Sequence, residues 1–79
     1  MGPLFDEPVW QVCGFTYKQR ERKRVFRGGR AFSDAADCFE EMKADTEMRE
    51  LWLLRWDDDD WKFQARMRRN ADRQWENLL

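Results

Sequence analysis

The stretch LWLLRWDDDDWKFQARM, Leu51 to Met67, constrains the fold more than any other, because two runs of strand-like residues enclose four consecutive aspartates. In the second run Trp61, Phe63, Ala65 and Met67 alternate strictly with Lys62, Gln64, Arg66 and Arg68. Period two is the repeat of a strand. In the first run, Arg49 to Trp56, Leu51 and Leu53 fall on one side and Trp52, Leu54 and Trp56 on the other, so this strand is apolar on both faces. Aspartates 57 to 60 then stand as a four-residue hairpin loop. A rival arrangement joins Asp60 to Leu79 in one long helix with its acids at the N-terminal end. Its apolar residues would smear over most of the helical wheel, and the alternation opposes it.

The same argument extends upstream. VWQVCGFTY puts Val9, Cys13, Phe15 and Tyr17 on one side and Trp10, Val12 and Thr16 on the other. Lys18 to Lys23 form a polar break, and RVFRGGRAF follows as a second strand bent at Gly28 and Gly29. In AFSDAADCFEEMK, Ser33 has the chemistry of a helix N-cap, with Asp34 and Asp37 favourably placed in the first turn. Ala35, Cys38, Phe39 and Met42 recur at helical spacing while Asp37, Glu40, Glu41 and Lys43 look outward. In the tail, Ala71, Trp75, Leu78 and Leu79 sit at helical spacing behind Asn70. The expected fold is α+β: ββαββ with a four-stranded antiparallel sheet, one helix on one face and a short C-terminal helix or arm. All 79 residues form one domain, with an extended lead-in over residues 1–8 and an amphipathic segment over 70–79.

A chain this short must pack its core densely, and five Trp, six Phe and one Tyr supply the means. Its net charge of -1 hides strong segregation. Residues 18–30 hold seven Lys/Arg and one Glu, whereas residues 34–60 hold eleven Asp/Glu and three Lys/Arg. Histidine is absent, which removes the usual general base and the commonest metal ligand. Cys13 and Cys38 fit core packing in a reducing compartment better than a disulfide framework or a nucleophile without an activating base. No secretory signal pattern and no run long enough to span a membrane is present, so the expectation is an intracellular protein without membrane contact. No enzyme activity, cofactor or metal is expected.

The aspartate run lacks the ligand spacing and the glycine of an EF-hand-type loop, which argues against a calcium site. It can serve as a solvated turn whose like charges keep sheet edges apart, or as an imitation of a phosphate track. The candidate partner-binding residues are therefore Asp57, Asp58, Asp59, Asp60, Glu47 and Glu50, with Trp56 and Trp61 as apolar anchors and Glu40 and Glu41 in support. Lys18, Arg20, Arg22, Lys23 and Arg24 form an alternative nucleic-acid-binding fingertip, helped by Arg27, Arg30, Arg66, Arg68 and Arg69. The overall acidity makes direct nucleic-acid binding the lesser expectation. Two strands apolar on both faces, with one helix to cover them, leave a patch of Trp10, Val12, Trp52, Leu54 and Trp56 unless the tail folds over it. A partner protein or a homodimer would cover that patch.

A hairpin, then a helix entered through AFSDAADCFEEM, then a hairpin, in a chain of this length, resembles the small accessory proteins of bacteriophages and mobile elements, among them anti-CRISPR proteins. The resemblance implies a non-catalytic inhibitor in the cytoplasm of a bacterial host. Such an inhibitor would occlude a basic or nucleic-acid-binding surface of a host defence complex. It assigns no role to any residue.

Overall fold

In the computed structural model, which describes residues 7–79, the alternating runs pair as antiparallel strands around one helix. Strand β1 (Val9–Thr16) pairs with β2 (Glu21–Arg27) and with β3 (Met48–Asp57), β3 pairs with β4 (Asp60–Arg69), and β4 with β5 (Trp75–Asn77). The order across the sheet is β2-β1-β3-β4-β5, five strands where the alternation predicts four. Because β2 and β3 both run antiparallel to β1, they are parallel to each other. The helix α1 (Ala31–Ala44) is the crossover between them and must lie across one face of the sheet.

Register decides which side chains meet that helix. Val12 is opposite Leu53 and Gly14 opposite Leu51, and these positions face α1. Val12, Ala35, Cys38, Phe39, Met48, Leu51 and Leu53 form the core, with Trp10, Phe26, Met42, Ala65, Met67 and Trp75 packed around it. Trp10 and Val12 therefore do not share a face with Trp52, Leu54 and Trp56 as expected. Gly14 makes room at the centre, since a Cβ there would collide with Met48, Met42 and Leu51.

Other expectations are corrected as well. The second strand begins at Glu21, inside the supposed polar break, and ends at Arg27 before the glycines. An edge strand needs only backbone pairing, so charges can occupy both of its faces. Gly28, at φ 96°, turns the chain off the sheet. The helix starts at Ala31, and its N-cap, Arg30, makes no side-chain capping bond; Ser33 lies within the first turn. Burying Ala31 under the sheet extends the apolar stripe one turn back from Ala35.

The tail is a turn and a strand, not a helix. Asn70 Oδ1 accepts the amides of Asp72 at 2.9 Å and Gln74 at 3.0 Å, and Arg73 adopts φ 62°, which reverses the chain into β5. The Trp75 indole donates to the Lys43 carbonyl at 2.9 Å, and the Arg69 guanidinium donates to the carbonyls of Met48, Lys43, Asp45 and Arg73. The bonds to Lys43 and Asp45 satisfy carbonyls at the end of α1 that the helix cannot bond itself, and those to Met48 and Arg73 tie the same guanidinium to β3 and the tail turn. Of the lead-in assigned to residues 1–8, all but Glu7 and Pro8 lies outside the described residues.

Candidate functional site

A bulge between Leu53 and Leu54 gives the site its character. Leu53 pairs with Ala65 but Leu54 pairs with Phe63, so Gln64 is the extra residue. Without it Trp61, Phe63, Ala65 and Met67 would all share one face. With it Ala65 and Met67 stay under α1, while Trp61 and Phe63 move to the opposite face beside Trp56 and Leu54.

Four rows of side chains cross that opposite face. Glu21, Phe15, Glu50, Arg68 and Glu76 form the first row and Lys23, Cys13, Trp52 and Arg66 the second. Val25, Gln11, Leu54 and Phe63 form the third, and Arg27, Val9, Trp56 and Trp61 the fourth. The third row is uncharged from end to end. The terminal strand extends the sheet edge and its Trp75 turns toward α1, so no described helix or strand packs on this face.

Aromatic contacts within the face hold it in place. Phe15, Trp52 and Phe63 meet edge to face, with centroids 5.0 and 5.4 Å apart, and the Arg66 guanidinium sits over both Trp52 and Phe63. The Glu50 carboxylate accepts from the Trp52 indole, from Arg68 Nε at 3.0 Å and from Arg66 Nε at 3.4 Å. Its side chain is only 12% exposed. Burial works to raise the Glu50 pKa, but the indole and the two guanidiniums outweigh it and hold the group below the ordinary carboxylate range.

Beyond the fourth row stands the aspartate hairpin. Asp57 pairs with Asp60, so the loop is two residues rather than four. Asp58 adopts φ 59° and the Asp59 amide donates to the Asp57 carbonyl at 2.6 Å. Asp60 Oδ1 accepts the Trp61 amide at 2.8 Å. All four residues are exposed, and among the described residues none of the four carboxylates forms an ion pair. Trp56 and Trp61 cross edge to face at 5.3 Å immediately behind them.

The structure thus groups Asp57 to Asp60 with Trp56 and Trp61 but separates the other acids. Glu50 is held by arginines in the first row, and Glu47 lies before the start of β3, roughly 30 Å from the tip at about 3.3 Å per strand residue. Glu47 and Asp45 both bind Arg22, at 3.2 and 2.9 Å. Glu40 and Glu41 are exposed on α1, across the sheet from this face. The basic run is divided too: Lys23 faces the open side, Arg22 and Arg24 the helix side, and Lys18 and Arg20 flank the β1–β2 turn. Phe63 and Arg73 escaped the sequence reading. The first was misplaced by the bulge, and the second stacks over Tyr17 at 4.5 Å from 56 residues away, beside a cleft of about 350 Å³ lined also by Lys18, Arg20 and Arg22.

The two cysteines lie on opposite sides of the sheet, Cys13 beside Glu21 on the open face and Cys38 in the core under α1, and both are free. Burial pushes both thiols above their ordinary pKa, so neither is primed as a nucleophile at neutral pH. Among the described residues no three Cys, Asp or Glu side chains are grouped to hold a metal ion, and no helix is long and apolar enough to cross a membrane. No family model, no curated protein and no solved structure matches the chain.

Proposed function

We propose that this protein works without catalysis, by binding another protein through the uncovered sheet face and the acidic hairpin beyond it. The observation that carries this reading is the uncharged third row, flanked by Trp52, Trp56 and Trp61: no described helix or strand packs on it, and Val25 and Phe63 stand exposed on either side of the buried Leu54. Tryptophan and arginine are the side chains that most often dominate interface energetics. The four unpaired aspartates add attraction for a basic surface, and the resemblance to phage accessory proteins makes a nucleic-acid-binding host defence complex the partner class to test first. In that form the protein is an inhibitor that occludes the basic surface sterically and electrostatically. Capture from bacterial lysate with the wild type, with Phe63→Glu and with all four aspartates changed to Asn tests it. A nucleic-acid-binding protein retained by the wild type and lost by both variants is the expected result; equal retention by all three would overturn the reading.

A second reading rests on the convergence of Lys18, Arg20, Arg22 and Arg73 around the cleft beside Tyr17. Arg22 is held by Asp45 and Glu47, and Lys18, Arg20 and Arg73, which have no ion-pair partner among the described residues, supply the excess positive charge that suits contact with phosphates. Binding of random-sequence DNA that weakened steeply with salt would support it, and salt-independent binding would remove it.

A further inference from the structure

Resting on the second reading, that the cleft beside Tyr17 contacts phosphates, we infer that its ligand is a single nucleotide, free or at the end of a single strand. The cleft opens at the end of the sheet remote from the aspartates, where the β1–β2 turn and the Asn70 turn both contribute to it, and encloses about 350 Å³. That is the small end of the ~300–1,000 Å³ range of small-molecule sites.

Both turns are fixed before any ligand arrives. Thr16 Oγ1 accepts the Arg20 amide at 3.0 Å, the Gln19 amide donates to the Thr16 carbonyl at 2.9 Å, and the Tyr17 amide donates to the Glu47 carbonyl at 3.0 Å. In the tail turn Arg73 is held at its amide by the Asn70 carbonyl, at its carbonyl by Arg69 and at its guanidinium by the Tyr17 ring 4.5 Å away. Gln19 and Arg73 both stand at φ 62°, a conformation that costs energy without glycine and persists only where the surroundings impose it. Groups already ordered in this way lose little freedom on binding.

The mixture of side chains selects the ligand. With Arg22 taken by Asp45 and Glu47, Lys18, Arg20 and Arg73 remain to meet a phosphate. Inorganic phosphate alone would also face the Glu47 carboxylate, whereas a nucleotide presents a sugar hydroxyl to the carboxylate oxygen that Arg22 does not occupy. Tyr17 stays 37% exposed beneath the Arg73 guanidinium, so ring surface is left for a base. A duplex fits less well. Glu21 next to Arg20 and Asp72 next to Arg73 are exposed outside the cleft and interrupt a continuous track of cations.

Isothermal titration calorimetry of the full chain at low salt tests the inference, with the four ribonucleoside monophosphates, their nucleosides, inorganic phosphate, and a single-stranded oligonucleotide with and without a 5′-phosphate. The best monophosphate is expected to bind roughly tenfold tighter than inorganic phosphate or its own nucleoside. Lys18→Ala together with Arg20→Ala should abolish that binding, and Tyr17→Ala should reduce the monophosphate to the level of inorganic phosphate, with circular dichroism unchanged in both. A 5′-phosphorylated strand that binds tighter than the monophosphate assigns the site to a strand end, and equal affinity assigns it to a free nucleotide. Equal binding of inorganic phosphate and monophosphate, or monophosphate binding indifferent to the loss of Lys18 and Arg20, would overturn the inference. Random-sequence duplex bound in a salt-dependent way while no monophosphate binds would also overturn it and leave phosphate contact standing. Failure of every one of these ligands to bind would remove both.

Discussion

The two faces of one sheet are built from the same strands and solve different problems. The centre of the face under α1 is aliphatic and sulfur-rich, with Trp10, Phe26 and Trp75 at its margin: Val12, Leu51 and Met48 are fully buried, and Gly14 gives up its side chain so that Met48 and Met42 can fit. The opposite face is aromatic and carries arginine, with Phe15, Trp52 and Phe63 edge to face under Arg66. Aliphatic groups have no polar partner and gain only by leaving water. Aromatic rings packed edge-on, with a guanidinium over them, stay ordered while half exposed and remain available to a partner. One face is therefore expected to govern stability and the other association.

Truncation should separate them most sharply. Leu51→Ala, at a fully buried position, is expected to cost about 2–5 kcal/mol in urea denaturation, a large share of the stability of so small a domain. Phe63→Ser on the open face should cost far less in a monomeric sample. Equal costs would break the distinction between the faces. Gly14→Ala is next, at about 1–3 kcal/mol, because the added methyl must displace Leu51 as well as the flexible methionine ends. A negligible cost would show that the covered face is loosely packed.

Acid sharpens the open side. Glu50 is held below its ordinary pKa of 4.5, so the stability it contributes is fully present above that value and is lost as pH falls through the depressed folded value. The wild-type urea midpoint should fall over this range, and Glu50→Gln should remove part of the fall while lowering stability near neutrality. An unchanged pH profile would place the acid sensitivity elsewhere. The smallest effect belongs to the aspartate tip. Converting all four residues to Asn is expected to shift stability by no more than about 0.5 kcal/mol per site, because the exposed carboxylates have no ion-pair partners among the described residues.

The helix stripe was legible because Ala35, Cys38 and Phe39 recur at a spacing that only a helix brings to one side. Both hairpins were legible from alternation and turn residues. The start of β2 was not, since ERKR carries no apolar signal and forms a strand only because the β1 backbone lies beside it. The tail misled in the opposite direction. Trp75, Leu78 and Leu79 have helical spacing, but a two-turn helix is marginal alone, and the Asn70 turn places Trp75 on the free carbonyl at Lys43. Among the candidate site residues, the aspartates and their flanking tryptophans were legible as one group because they are contiguous. Arg66, Phe63 and Glu50 act together only after strand pairing.

What the sequence determined by itself was local: where β1, β3, β4 and the apolar stripe of the helix run, that the aspartates turn a hairpin, and that two strands are apolar on both sides. Those are properties of periodicity, which acts over a few neighbouring residues. Tertiary structure decided which side each residue serves. A single bulge at Gln64 reverses the pleat for everything before it, and the β1–β3 register puts Val12 under the helix and Trp52 in the open. Pairing over such distances depends on the fit of whole strands, and no short window of sequence contains it.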